Sequence, residues 1–97
     1  ELAAAGPTRL AFSESSADWA AVVNRKDIDV IDIVTPNDSH ADIAIAALKA
    51  GKHVICEKPL ARTGAEAKTM HEAAKASGVI HMVAFNYRRT PAVALAR

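Results

Sequence analysis

Residues 30–40 read Val30-Ile31-Asp32-Ile33-Val34-Thr35-Pro36-Asn37-Asp38-Ser39-His40. The first five predict a strand. Ile31 and Ile33 share one face; Val30, Asp32 and Val34 share the other. Apolar residues on both faces predict a parallel strand covered by helices on both sides. Asp32 breaks that pattern and is expected to pair with a neighbouring loop or a backbone donor, with no catalytic role. Thr35 to His40 is a tight polar turn. Ser39 followed by Asp42 fits an acidic capping box, and Ile43, Ala46, Ala47 and Ala50 recur at helical spacing. The spacing predicts a helix over His40–Ala50, closed by Gly51.

The same alternation continues toward the C-terminus. Lys52-His53 lead into a buried strand, Val54-Ile55-Cys56, which runs into Glu57-Lys58-Pro59. Proline cannot donate to a ladder and biases Lys58 away from helical angles, so the strand is expected to stop here. Neighbours in extended chain point to opposite sides, so Glu57 and Lys58 should serve different partners. A cis Lys58–Pro59 bond is a candidate. Leu60-Ala61-Arg62 connects to a second capping box, Thr63 with Glu66, and a helix over Gly64–Ala76. Met70, Ala73 and Ala74 face inward, and Gly78 closes the helix. Val79–Phe85 predicts another strand, Asn86 to Thr90 a loop, and Pro91 the first turn of a helix.

Toward the N-terminus the signals weaken. Ser16 is expected to cap a short helix, Ala17–Val23, with Asp18 in its first turn and Trp19 packed as core. Arg9–Phe12 is a weak strand, and Leu2–Ala5 is helical by propensity up to Gly6-Pro7. The order β-α-β-α-β-α-β with short connections predicts an α/β, doubly wound parallel sheet with right-handed crossovers.

Composition excludes several classes. The chain has 97 residues, enough for one small domain, and a formal net charge of +1, which suggests no nucleic-acid groove. Aromatic residues make up 4%, too few for a base-stacking platform. The single cysteine, Cys56, excludes an internal disulfide and fits a reducing cytoplasm. No apolar run approaches the length of a membrane span. His53 and His81 lack partners at metal spacing and read as structural, as does Cys56. His71 lies mid-helix and is expected to be exposed. No metal site and no Ser-His-Asp arrangement are predicted.

In a parallel sheet the loops at the strand carboxyl ends share one edge, where ligands bind. Thr35–His40, Cys56–Pro59 and Asn86–Arg89 would meet there. Each has a plainer reading. Asn37 can be only a turn residue, His40 a solvated first-turn residue, and Glu57-Lys58 a strand end with two charges. Together they place a carboxylate, an amine, an amide, an imidazole and guanidinium groups on one rim.

Four motifs then carry a resemblance: Thr35-Pro36-Asn37-x-x-His40, Ala50-Gly51-Lys52-His53-Val54, Glu57-Lys58-Pro59, and Phe85-Asn86-Tyr87-Arg88-Arg89-x-Pro91. In this order they resemble the Gfo/Idh/MocA oxidoreductases, the glucose–fructose oxidoreductase and inositol dehydrogenase family. The resemblance implies a Rossmann-like domain and hydride transfer between NAD or NADP and an oxygen-bearing carbon of a sugar or polyol. It implies Lys58 as the catalytic lysine. It implies cofactor contacts from Thr35, Pro36, Asn37, His40, Glu57, Pro59 and Arg88, with Arg89 as the alternative to Arg88. Physically, an ammonium beside the reacting hydroxyl stabilises the alkoxide-like oxygen and can relay its proton. It further implies a cytoplasmic homo-oligomer with a small-molecule substrate, and no nucleic acid or membrane partner.

The sequence holds no Gly-x-Gly-x-x-Gly loop, the motif that cradles the pyrophosphate after the first strand of such domains. Residues 1–97 are therefore expected to be a partial NAD(P)-binding domain lacking the first βαβ unit, with 91–97 starting a helix toward a substrate domain. In the strand order 3-2-1-4-5-6 the Arg9–Phe12 strand would have no neighbour. The alternative is a non-catalytic remnant that binds a protein partner through a bare sheet edge.

Overall fold

The computed structural model describes residues 11–96. The first helix, α1 (Trp19–Val23), precedes β1 (Val30–Ile33). A 3₁₀ turn, Asn37–Ser39, runs into α2 (His40–Lys49) and then β2 (His53–Glu57). Helix α3 (Gly64–Ser77), β3 (His81–Ala84), a 3₁₀ turn over Asn86–Arg89 and α4 (Pro91–Leu95) complete the order. The strands form one parallel sheet in the order β1-β2-β3, as the alternation requires.

Register decides what each face carries. Ile31 pairs with Val54, and Ile33 with Cys56. Cys56 in turn pairs with Val83. This face packs on Ala44, Ala47 and Leu48 of α2 and on Met70 and Ala74 of α3. Ala47 is fully buried, and with no side chain beyond Cβ it lets the helices lie close to the sheet. Burying each Ile, Val, Leu or Met here contributes about 1.5–3 kcal/mol.

The opposite face corrects the expectation of cover on both sides. Val30 is 50% exposed and Met82 48% exposed, and Asp32 is exposed too. Among the described residues every helix that packs on the sheet lies against the Ile33–Cys56 face. The Asp32 side chain accordingly takes no hydrogen-bond partner among the described residues, contrary to the partner expected for it.

Local signals explain most boundaries. Thr63 accepts the Glu66 N–H at 3.1 Å and caps α3, while Glu66 reaches back to the Arg62 N–H and guanidinium. Gly78 takes φ +68 at the far end. After α2, the Gly51 N–H donates to the Leu48 carbonyl and the Lys52 N–H to the Ala47 carbonyl. This double closure needs a left-handed residue at its centre, and Gly51 supplies it at φ +77.

Four N-terminal expectations change. Helix α1 starts at Trp19, because Asp18 is extended and its carboxylate accepts from the Ala20 and Ala21 N–H groups. Ser16 is occupied with the backbone of Asp18 instead. Trp19 is 45% exposed rather than core; Val23 carries the buried face of α1. Ala11 turns the chain at φ +58, which breaks the extended run predicted over Arg9–Phe12; Arg9 and Leu10 lie outside the described residues. The predicted Leu2–Ala5 helix and the Gly6-Pro7 break also lie outside them. Strand β3 is shorter than Val79–Phe85, since Phe85 already leads into the 3₁₀ turn.

Candidate functional site

The carboxyl ends of the three strands open onto one rim, built from the turn after β1, the tripeptide after β2 and the segment after β3. Strand β2 carries its ladder through Glu57, which is half-buried and shares the uncovered face with Ile55 by alternation. Lys58 lies one residue beyond the ladder and is exposed, and the Lys58–Pro59 peptide is cis. No side-chain hydrogen bond holds the Lys58 amine among the described residues. It is therefore available to a ligand.

An open cleft of about 370 Å³ lies beside it, lined by Lys58, Phe85, Asn86, Tyr87 and Arg88. Phe85 is 53% and Tyr87 76% exposed, so two aromatic rings flank a cation pair on the rim. Arg88 shares this cleft with Lys58, whereas Arg89 lines only a neighbouring one with Met82 and Val83. The sequence left Arg88 and Arg89 open; the geometry brings Arg88 together with Lys58. Phe85 and Tyr87 stood in the quoted motif, but no role was assigned to their rings. The available signal was their place in a chain with four aromatic side chains in all.

The Thr35–His40 turn follows β1, on the other side of β2 from that cleft. Ser39 forms no cap on α2, contrary to the capping box expected with Asp42. The 3₁₀ turn has already bent its backbone to helical angles, so its hydroxyl turns back to Thr35 Oγ1 at 2.6 Å and to the Pro36 carbonyl at 2.8 Å. Thr35, Pro36 and Asn37 remain exposed.

His40 departs furthest from its predicted place. It is 0% exposed, so it presents no wall to a ligand. Its Nδ1 lies 2.9 Å from the Pro59 carbonyl and its Nε2 2.8 Å from the Thr35 carbonyl. A neutral ring donates through one nitrogen only; a ring carrying both protons donates to both carbonyls. Since both partners are carbonyls, only the ring carrying both protons ties the turn after β1 to the tripeptide after β2 through two hydrogen bonds.

The neighbouring thiol is structural. Cys56 is 2% exposed, and burial, with the charges of Glu57 and Asp32 adding to it, pushes the thiol up from its ordinary value. No group of three or more His, Cys, Asp or Glu side chains among the described residues could hold a metal ion. His53 accepts the Ile80 N–H at Nδ1. His71 is exposed, as expected; His81 is exposed as well.

Comparison with known proteins decides the family. The model of an oxidoreductase family with an NAD-binding Rossmann fold matches residues 3–85. The chain belongs to this Gfo/Idh/MocA family. It is 61% identical over 97 residues to levoglucosan dehydrogenase of Pseudarthrobacter phenanthrenivorans, covering 100% of this chain and 25% of that protein. It is 46% identical over 61 residues to inositol 2-dehydrogenase of Salmonella typhimurium, covering 63% of this chain and 18% of that protein. A structure of levoglucosan dehydrogenase in complex with NADH and levoglucosan superposes with a TM-score of 0.93 at 61% identity, over 98% of this chain and 26% of that one. The chain thus spans about a quarter of the length of levoglucosan dehydrogenase. The fold is the Rossmann-like sheet expected. The enzyme names of these relatives do not favour the non-catalytic alternative.

The residues present suit a dinucleotide at this rim. The cleft offers aromatic faces to a flat ring and two cations to polar groups, at the strand ends where such folds bind nucleotides.

Proposed function

We propose that this chain is the rim-forming part of the cofactor domain of an NAD-dependent dehydrogenase, acting on a secondary alcohol or its carbonyl in a sugar or polyol. The observation that carries this reading is the cleft shared by Lys58 and Arg88 at the carboxyl edge of the sheet. The names of its relatives, a levoglucosan dehydrogenase and an inositol 2-dehydrogenase, support the substrate class.

Lys58 is the catalytic residue in this reading. Its neutral amine accepts the departing hydroxyl proton, the ammonium so formed stabilises the oxygen, and that proton then passes to solvent. Arg88 holds polar groups at the nicotinamide end. Phe85 and Tyr87 exclude water from it. The Thr35-Pro36-Asn37 turn, Glu57 and Pro59 line the path of the ribose. His40 is set apart from direct contact. Residues 91–97 lead toward a substrate domain, a role supported by Leu95, which is 87% exposed on α4. A cytoplasmic setting and homo-oligomeric assembly belong to the same reading, the first supported by the buried thiol of Cys56. No helix among the described residues is long and apolar enough to cross a membrane.

The test is a panel of sugars and polyols, including levoglucosan and inositol, offered to the full-length protein with NAD or NADP. NAD-linked oxidation of at least one member is expected. No dinucleotide reduction with any member, by a folded protein, would overturn the reading.

A further inference from the structure

We propose that His40 is a positioning residue that couples the two halves of the rim, holding the Lys58 segment through one ring nitrogen and the nucleotide turn through the other. The inference rests on the dehydrogenase reading above and deepens it. His40 is fully buried at the first residue of α2. Its Nδ1 reaches the carbonyl of Pro59, the residue that follows Lys58. Its Nε2 reaches the carbonyl of Thr35, the residue that opens the turn after β1. Neither loop has another side-chain hydrogen bond to the other among the described residues.

The arrangement is stiffened from both sides. Ser39 pins Thr35 and Pro36 from within the turn, and the flanking residue Ala41 lies in the core. A ring held this way has little freedom of its own. A shift of the Pro59 carbonyl is felt at the Thr35 carbonyl through one rigid plane. A merely satisfied core histidine would need acceptors of any origin. Here both acceptors belong to the segments that carry the candidate site.

The two contacts can be separated by substitution. The amide nitrogen of asparagine falls near the position of Nδ1, and that of glutamine near Nε2. His40→Asn therefore keeps the Pro59 contact and releases the Thr35 turn. His40→Gln keeps the Thr35 contact and releases Pro59. In the full-length enzyme, His40→Gln is expected to lower kcat by about tenfold or more, since small misplacements at reacting groups are costly, with KM for NAD within about twofold of wild type. His40→Asn is expected to do the reverse, raising KM for NAD by about tenfold with kcat largely kept. Equal changes in both constants in both variants, alongside equal losses of Tm, would mean a structural role only and overturn the proposal.

A second readout does not depend on the variants folding. Backbone hydrogen exchange in the wild-type protein is expected to slow on NAD binding in residues 35–41 and 57–62 together. Slowing in one segment alone would overturn the coupling. If wild-type protein shows no NAD-linked turnover, the dehydrogenase reading fails and this inference fails with it. If wild type turns over but the split between the variants is missing, only the inference fails.

Discussion

His40 and Lys52 are the two buried polar residues among the described residues, and they sit at opposite ends of the sheet. Both end their side chains on two backbone carbonyls. His40 spans Thr35 and Pro59 at the carboxyl ends of β1 and β2. Lys52 spans Arg25 and Ile28, which precede β1, from its place just before β2. The rim end surrounds its tie with exposed cations and an open cleft. The far end also borders an open cleft, of about 480 Å³ and lined by Arg25, Asp27 and Ile28. The Arg25 guanidinium there is already paired with Asp27 and Glu14, whereas no side-chain hydrogen bond among the described residues holds the Lys58 amine at the rim. The same device thus lies beside the candidate site at one end and at a structural joint at the other. Burying a polar group costs about 1–3 kcal/mol when it lacks a partner, so neither residue is a neutral occupant.

If this contrast is right, removing Lys58 should separate chemistry from folding. Lys58→Ala in the full-length enzyme is expected to lower kcat by about 10²–10⁴-fold, the range for a lost acid–base group, with Tm and NAD affinity nearly unchanged. A matching loss of NAD affinity would remove the distinction between the rim lysine and a structural one.

At the far end the reverse should hold. Lys52→Met leaves two carbonyls without their donor and is expected to cost about 2 kcal/mol of stability, read by denaturant titration, while kcat of the folded enzyme stays put. A fall in kcat with unchanged stability would place Lys52 in the functional apparatus. Gly51→Ala should cost about 1 kcal/mol, because φ +77 is strained for a residue with Cβ. Space is not the obstacle, since nothing lies within 4 Å of the added carbon.

The smallest effect concerns acid. The Arg25 guanidinium, by hydrogen bond first and charge second, lowers Glu14 from its ordinary 4.5. Hydrogen bonding from Arg25 likewise lowers Asp27 from 3.8. A lowered carboxylate contributes stability that is full above its ordinary value and lost as pH falls through the lowered one. Melting temperature should therefore drop below pH about 4.5 less steeply in Arg25→Ala than in wild type. The difference will be small, because all three groups are exposed to solvent and screened. A steeper drop in the variant would contradict the assignment.

The sequence made the layered order legible because its signals are local. Thr63 with Glu66, Gly78, Gly51 and the Met70–Ala74 stripe each act within one or two turns of chain, and each is found where expected. The four motifs of the resemblance were legible for the same reason. What local pattern cannot carry is the partner of a side chain. His40 was read as a cofactor contact from the resemblance, or more plainly as a solvated first-turn residue; its burial depends on Pro59, distant in sequence. Lys52 gave no sign of burial, since its acceptors lie before β1. Trp19 looked like core because tryptophan usually is, yet the sheet edge beside it leaves it half open. Ser39 fitted a cap by type but had already been bent into a 3₁₀ turn.

The central claim is that the cleft between Lys58 and Arg88 receives the nicotinamide end of the cofactor. A crystal structure of the full-length protein with NADH tests it most directly. The account predicts the nicotinamide ring in that cleft, against Lys58, Phe85 and Arg88, with His40 buried behind and touching neither ring nor ribose. A ring seated elsewhere, or an imidazole of His40 in contact with the cofactor, would contradict it.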